Sequence, residues 1–433
     1  MTTLVKNTVP GGSRLSMPQE LIDFTLDFLH DDIPTLRACS LVSRAFLPCS
    51  RHHIYSNVFI VHTAEFDLFR KYAGQLYQCR NLVKLLKHSP HVAPLVTRFG
   101  ILAMSDLSVM KDVFRDTSLF PTIQSLRSLS HFEFIAGRNQ ELFRIDFPVA
   151  THRLFVAALR SLPLKTLILK GIDFYRDGHF EDVFTAAAAS PALKHLSLGC
   201  HFGGETSLPC PPIRPPPNGL PALESLSISG FSTPHNISWL FFTQSLYSVS
   251  GIRRLSLQTC TSIPSSLIQS LLNEMQETLE CFTLDLTSRI HRKVGFNLSQ
   301  HRNLSSFYTT VSGSPVLDSV PEMRLNPTLR TLTVEHVSRA WRYNLQSSVR
   351  VWAEVDRLPL PALEHVHIRM HDSVDDMDAG DLDSWKRQVE ESMPLLKDRG
   401  ILEVEVIKRR YVDRVSLDLF PVARGNDCQS AFA

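Results

Sequence analysis

The sequence predicts an α/β protein: three short helices at the N-terminus, followed by an irregular solenoid of alternating helix and strand. Three observations predict it. First, an apolar core of the form φ-x-x-φ-x-φ recurs as Leu164/Leu167/Leu169, Leu193/Leu196/Leu198, Leu223/Leu226/Ile228, Ile252/Leu255/Leu257 and Leu279/Phe282/Leu284. Its starts lie 29, 30, 29 and 27 residues apart. A steady period with one short strand per unit marks a stacked-repeat array. Second, proline stands ahead of many copies, at Pro163, Pro191, Pro221, Pro327 and Pro361, where it ends a helix and frees the next strand. Third, the apolar spacing turns helical between copies, as in Leu154, Phe155, Ala158 and Leu159, or Leu267, Ile268, Leu271, Leu272 and Met275.

The N-terminal block spans residues 15–60. Pro18 suits a first helical turn, where its missing N–H costs nothing, and Glu20 complements the positive helix start. Leu21, Ile22, Phe24, Leu26, Phe28 and Leu29 supply the apolar face of the first helix. Asp31 and Asp32 before Pro34 read as a cap and restart. Leu36, Leu41 and Val42 belong to a second helix; Phe46, Leu47, Ile54 and Tyr55 belong to a third. So small a unit buries little core and needs a neighbour or a partner. On periodicity alone, these helices serve equally well as a cap on the domain that follows.

The chain continues with a helical linker over 61–94, with one stripe at Phe66, Phe69, Tyr72 and Leu76 and another at Leu82, Leu85 and Leu86. The solenoid is expected over 95–423, with 96–102 as its first strand. Weaker copies of the core stand near Leu126 and Leu129 and near Leu304 and Phe307; full copies recur at Leu329/Leu332/Val334 and Leu363/Val366/Ile368. Residues 209–217 form a proline-rich, stiff loop with a PxxP match of low specificity. Residues 371–383 are an aspartate-rich solvated loop without the closing Glu of a calcium loop. A helix with Trp385, Val389, Met393 and Leu396 on one face stops at Gly400, and Leu402, Val404 and Val406 mark an end strand. Residues 1–14 and 424–433 are expected to be disordered and frayed.

Composition narrows the function classes. A net charge of +2 with scattered signs argues against a nucleic-acid or acidic-membrane surface. No apolar run resembles a signal peptide or a membrane span. The 8 cysteines form no CxxC and read as reduced thiols of the cytosol or nucleus, so the sequons at Asn236, Asn297 and Asn303 are chance matches. No nucleotide loop, nucleophile elbow or HExxH is present. His365 and His367 share a strand face but have no identifiable third ligand. No catalytic, cofactor or metal residues are expected.

Met17-Pro18-x-Glu20-Leu21, Leu36-x-x-Cys39-x-Leu41-Val42, Arg44, Phe46 and Tyr55 together resemble an F-box of the kind common in large fungal families. Phe46 stands where many F-boxes carry Trp. The array resembles the leucine-rich repeats that often follow an F-box, without their regular Asn or Cys after the strand. This resemblance implies the substrate-recognition subunit of a Skp/cullin/F-box ubiquitin ligase. Pro18, Leu21, Ile22, Leu36, Leu41, Val42 and Phe46 would dock on a Skp-type adaptor, and through it on a cullin-RING scaffold. The chain would perform no chemistry of its own. A target protein would bind the outward strand face, where Arg254, Tyr308, His365, His367 and Arg369 are the expected anchors. The other reading is a non-degradative scaffold whose N-terminal helices cap the solenoid.

Overall fold

The computed structural model describes residues 17–61, 75–103, 117–136, 143–145, 148–174, 178–202, 220–229, 237–258, 263–286, 296–311, 325–337, 352–372 and 379–408. The expected termini, the stripe at Phe66, Phe69 and Tyr72, the proline-rich loop and residues 373–378 of the aspartate-rich loop lie outside these residues.

Helices α1 (Gln19–Asp27), α2 (Ile33–Val42) and α3 (Leu47–Ser56) come first. Pro18 caps α1 rather than entering it. Asp32 caps α2: its carboxylate accepts from the Thr35 backbone N–H at 3.1 Å and from the Thr35 hydroxyl at 2.6 Å. These bonds to the ionised form hold the Asp32 carboxyl below its usual range. Ile22, Leu26, Leu36 and Ile54 close a small core that is separate from the main one.

The chain then runs from α3 directly into β1 (Asn57–Val61) and on through β2 (Gln75–Tyr77), α4 (Cys79–His88), β3 (Arg98–Ala103), α5 (Leu119–Gln124), β4 (His131–Ala136), β5 (Phe143–Ile145), α6 (Val149–Ser161), β6 (Thr166–Phe174), α7 (His179–Ala188), β7 (His195–Phe202), β8 (Ser225–Ser229) and β9 (Arg254–Gln258). It finishes with α8 (Ser265–Asn273), β10 (Cys281–Leu286), β11 (Ser306–Val311), β12 (Thr331–Val337), β13 (His365–Asp372), α9 (Ala379–Ser392), α10 (Pro394–Asp398) and β14 (Leu402–Lys408). The described strands make a 14-stranded sheet, all parallel, in which neighbours in space are almost always neighbours in sequence. β2 forms one edge and β14 the other, while β5 pairs with β6 off the main path. This is a solenoid-like α/β architecture. Exposed Glu403 and Glu405 place charge on the β14 edge, a device that discourages further strand pairing.

The register explains the repeat. Leu167, Leu196, Leu226, Leu255, Phe282, Phe307, Leu332 and Val366 stand opposite one another in a single row. Leu169, Leu198, Ile228, Leu257, Leu284, Thr309, Val334 and Ile368 form the next inward row. The first φ of each unit precedes its strand and is equally buried, as at Leu164, Leu193 and Leu223. Each buried leucine contributes about 1.5–3 kcal/mol.

The array begins earlier than expected. Residues 57–61 and 75–77 are already strands of the sheet, ahead of the expected first strand, which runs over 98–103, so the stretch between the N-terminal helices and the array is not a purely helical linker. Leu76 sits in β2, and Leu82, Leu85 and Leu86 lie on a helix, α4. The weak copy near Leu126 resolves one phase later, as Leu129 ahead of Phe132 and Phe134 in β4.

Bonds between repeats do not depend on a regular asparagine ladder. Ser190 Oγ donates to the Leu164 carbonyl. Thr278 Oγ1 donates toward the Ser250 and Ile252 carbonyls, and Asn303 Nδ2 to the Glu277 carbonyl. Asn326 Nδ2 reaches the Ser299 and His301 carbonyls, both at 3.0 Å. Each of these stitches reaches one repeat back. Buried Asp356 does the same in reverse: its carboxylate accepts from the Leu395 and Leu396 backbone N–H groups and so caps α10.

At the N-terminal end of the sheet, Arg98 donates to the Glu133 carboxylate through Nε at 2.7 Å and Nη2 at 3.3 Å, with its guanidinium over the Phe59 ring. Glu133 is only 2% exposed. Arg98→Met strands that carboxylate and is expected to cost about 3–5 kcal/mol. A drop in the urea midpoint that Glu133→Gln largely restores in the same background would bear this out. An unchanged midpoint for Arg98→Met would refute it.

Burial depresses three histidines, helped at His131 and His195 by neighbouring cations. His131 is pushed down to about 4, chiefly by desolvation, with Arg98, His195 and Lys165 adding to it. His152 and His195 are lowered by desolvation first. Groups with folded values below their unfolded ones bind protons more readily in the unfolded chain. Their contribution is therefore fully present above pH 6.5 and is lost as pH falls toward 4. Melting temperature should decline across that window, and less steeply in a His131/His152/His195→Asn triple variant. Equal slopes would overturn the assignment.

Candidate protein-interaction surfaces

The expected adaptor residues separate into two groups. Ile22 and Leu36 are buried in the small core and Phe46 packs against it. Leu21, Leu41 and Val42 face outward, at 53%, 87% and 74% exposure, and Pro18 is exposed beside them. Three further apolar side chains join the outward group: Met17, Phe24 and Phe28, the last 72% exposed. The Phe24 and Phe28 rings meet edge to face with centroids 4.9 Å apart.

α1 therefore carries two apolar stripes. Ile22 and Leu26 face in, while Leu21, Phe24 and Phe28 recur at i, i+3 and i+7 on the other side. The signal was present in the sequence, because one helix needs only one stripe for its own core. Gln19 Nε2 donates to the Ala45 carbonyl at 2.9 Å, which brings the start of α1 beside the turn after Val42. Among the described residues, most large exposed apolar side chains belong to this module. Patches of this kind mark interaction sites.

The second surface is the sheet face opposite the inward leucine rows. Of the expected anchors, Tyr308 donates to Glu335 on the next strand. His367 pairs with Glu403 at 2.7 Å and Arg369 with Glu405 at 3.3 Å. His365 is exposed, its ring 6.0 Å from that of His367. These anchors thus share one face but are largely engaged with carboxylates of the same chain. Arg254 lies elsewhere on it, across Ser225 from His195, close enough to depress that imidazole.

Ser197, Ser227 and Ser256 lie on this face too, between the inward residues of their strands. They stand in one row on β7, β8 and β9. Their hydroxyls are withdrawn from solvent and have no hydrogen-bond partner among the described residues, and a hydroxyl so placed costs about 1–3 kcal/mol.

A third cluster lies between α1 and α3. His53 Nε2 is 2.8 Å from Asp27 Oδ1. Cys49 Sγ is 3.9 Å from that same oxygen and 3.8 Å from the Asp23 carbonyl. Burial, then the charges of Asp23 and Asp27, push the Cys49 thiol up to about 11. Among the described residues, no helix is long and apolar enough to cross a membrane. No protein-family model matches the chain, and no curated protein matches it.

Proposed function

We propose that the chain is a substrate receptor of a Skp/cullin/F-box ubiquitin ligase, working in the cytosol or nucleus. The N-terminal helices are the F-box, and the array is a leucine-rich-repeat-like target-binding arm. The observation that carries this reading is the outward stripe Leu21, Phe24 and Phe28 beside exposed Leu41 and Val42. A helix that merely capped the array would turn its second apolar stripe toward that array, whereas a docking helix leaves it open for an apolar groove. The capping alternative draws on Tyr55, which packs against both cores, but it leaves that stripe unexplained.

The receptor contributes proximity. The adaptor and cullin-RING scaffold hold a ubiquitin-charged enzyme, and the arm raises the effective concentration of the target beside it. The continuous passage from α3 into β1 favours a stiff junction, which keeps that distance defined. The target is expected on the open sheet face, where it would meet exposed His365 and compete for paired Tyr308, His367 or Arg369. The test is co-purification of the full chain with a Skp-type adaptor. Stable retention supports the receptor reading; failure of the two to associate at micromolar concentration overturns it.

A further inference from the structure

We propose that Asp27, Cys49 and His53 form a binding site for a zinc-class divalent cation that clamps α1 to α3. The ligating atoms of all three lie within 4.8 Å of one another. Cys49 and His53 stand one turn apart on α3, so both project from one helix face. Asp27 closes the triangle from the end of α1, and the Asp23 backbone carbonyl, one turn before it, lies 3.8 Å from the Cys49 sulfur. An i, i+4 pair on α3 and a carboxylate at the end of α1 thus converge on one point.

The distances suit the ion. Tetrahedral zinc with a sulfur, a nitrogen and an oxygen ligand needs separations of about 3.3–3.6 Å between them. The 2.8 Å His53–Asp27 edge and the 3.9 Å Cys49–Asp27 edge bracket that range. Insertion would part the first pair and draw in the second, each by about half an ångström, and the third edge, from Cys49 to His53, is within 4.8 Å. A thiol, an imidazole and a carboxylate together select zinc, cobalt or a similar ion over calcium or magnesium, which want oxygen alone. His53 is 16% exposed and Asp27 60%, which leaves an entry path and room for water as the fourth ligand.

The placement gives the metal a role. The small core of Ile22, Leu26, Leu36 and Ile54 is meagre support for three helices, and a cross-link between two of them would fold its binding energy into the module. The clamp would hold the helix that presents Leu21, Phe24 and Phe28, yet its existence does not depend on what that stripe binds.

The test is titration of the reduced, metal-free full chain with Co2+, followed by Zn2+. The expected result is one equivalent bound, a near-ultraviolet thiolate-to-cobalt charge-transfer band with intense visible bands of tetrahedral cobalt, and displacement by zinc. Cys49→Ser should abolish the charge-transfer band. His53→Gln and Asp27→Asn, which alter more accessible groups, should each weaken binding at least tenfold. A second arm asks whether saturating zinc slows alkylation of Cys49 tenfold or more, with Cys39 as the internal control. Absence of stoichiometric binding, or a charge-transfer band that survives in folded Cys49→Ser, would overturn the proposal.

Discussion

Replacing Leu21 and Phe28 together by Asp should abolish retention of a Skp-type adaptor while leaving the melting temperature of the chain unchanged. Both side chains are more than half exposed and contribute little to the fold. An adaptor groove, by contrast, would have to accept two uncompensated carboxylates in an apolar interface, a penalty of several kcal/mol and a loss of affinity of at least a thousandfold. Leu36→Asp makes the necessary contrast. Leu36 is fully buried, so its replacement adds a buried charge to a cavity and should cost more than about 4 kcal/mol, which exceeds what so small a core can absorb. Binding is lost in both cases, but far-ultraviolet circular dichroism and heat stability should separate them. If the Leu21/Phe28 variant still binds the adaptor, docking does not use this stripe. If it unfolds, the stripe is structural.

Gly171→Ala should be the most damaging single methyl group in the array. Gly171 has φ +70 and sits at a register break in β6, where that strand leaves β4 and takes β5 as its partner. An added Cβ would lie 1.6 Å from the Ala136 carbonyl oxygen, a separation no repacking tolerates, and the left-handed backbone adds about 1–2 kcal/mol for any residue with a side chain. The expected cost exceeds about 4 kcal/mol. Gly178 provides the control: its φ is +81, yet nothing lies within 4 Å of an added Cβ, so Gly178→Ala should cost only the backbone share, about 1–2 kcal/mol. Comparable urea midpoints for the two variants would show that β4 and β6 can part at no great cost.

The parts of the fold that could be read from the sequence, and those that could not, follow from side-chain choice. From Leu164 onward the inward positions are mostly leucine, and the period stands out against the helices between. Before that point the same geometry is built with other residues: Tyr55, Val58 and Ile60; Val96, Phe99 and Ile101; Leu129, Phe132 and Phe134. A search tuned to leucine passes over β1 and misplaces β4. Leu304 looked like a weak copy because Thr309 fills the last inward position of β11. At the N-terminal module, the kinds of residue were visible but their directions were not. Leu21 and Ile22 are adjacent and equally apolar, and only the packing of α1 on α3 decides which turns inward. The pairing of Tyr308, His367 and Arg369 with carboxylates depends on register between strands some 25–40 residues apart, which residue type alone cannot reveal.

The one-repeat reach of the stitches from Ser190, Thr278, Asn303 and Asn326 bears on how such a chain can change over generations. Among the described residues no bond of that kind ties the first strand to the last, so a duplicated or deleted unit meets the same neighbours as the one it replaces. The ruler can lengthen or shorten without being redrawn. Selection for a new binding partner can then act on the length of the surface as well as its residues, while the helices at the start keep their attachment.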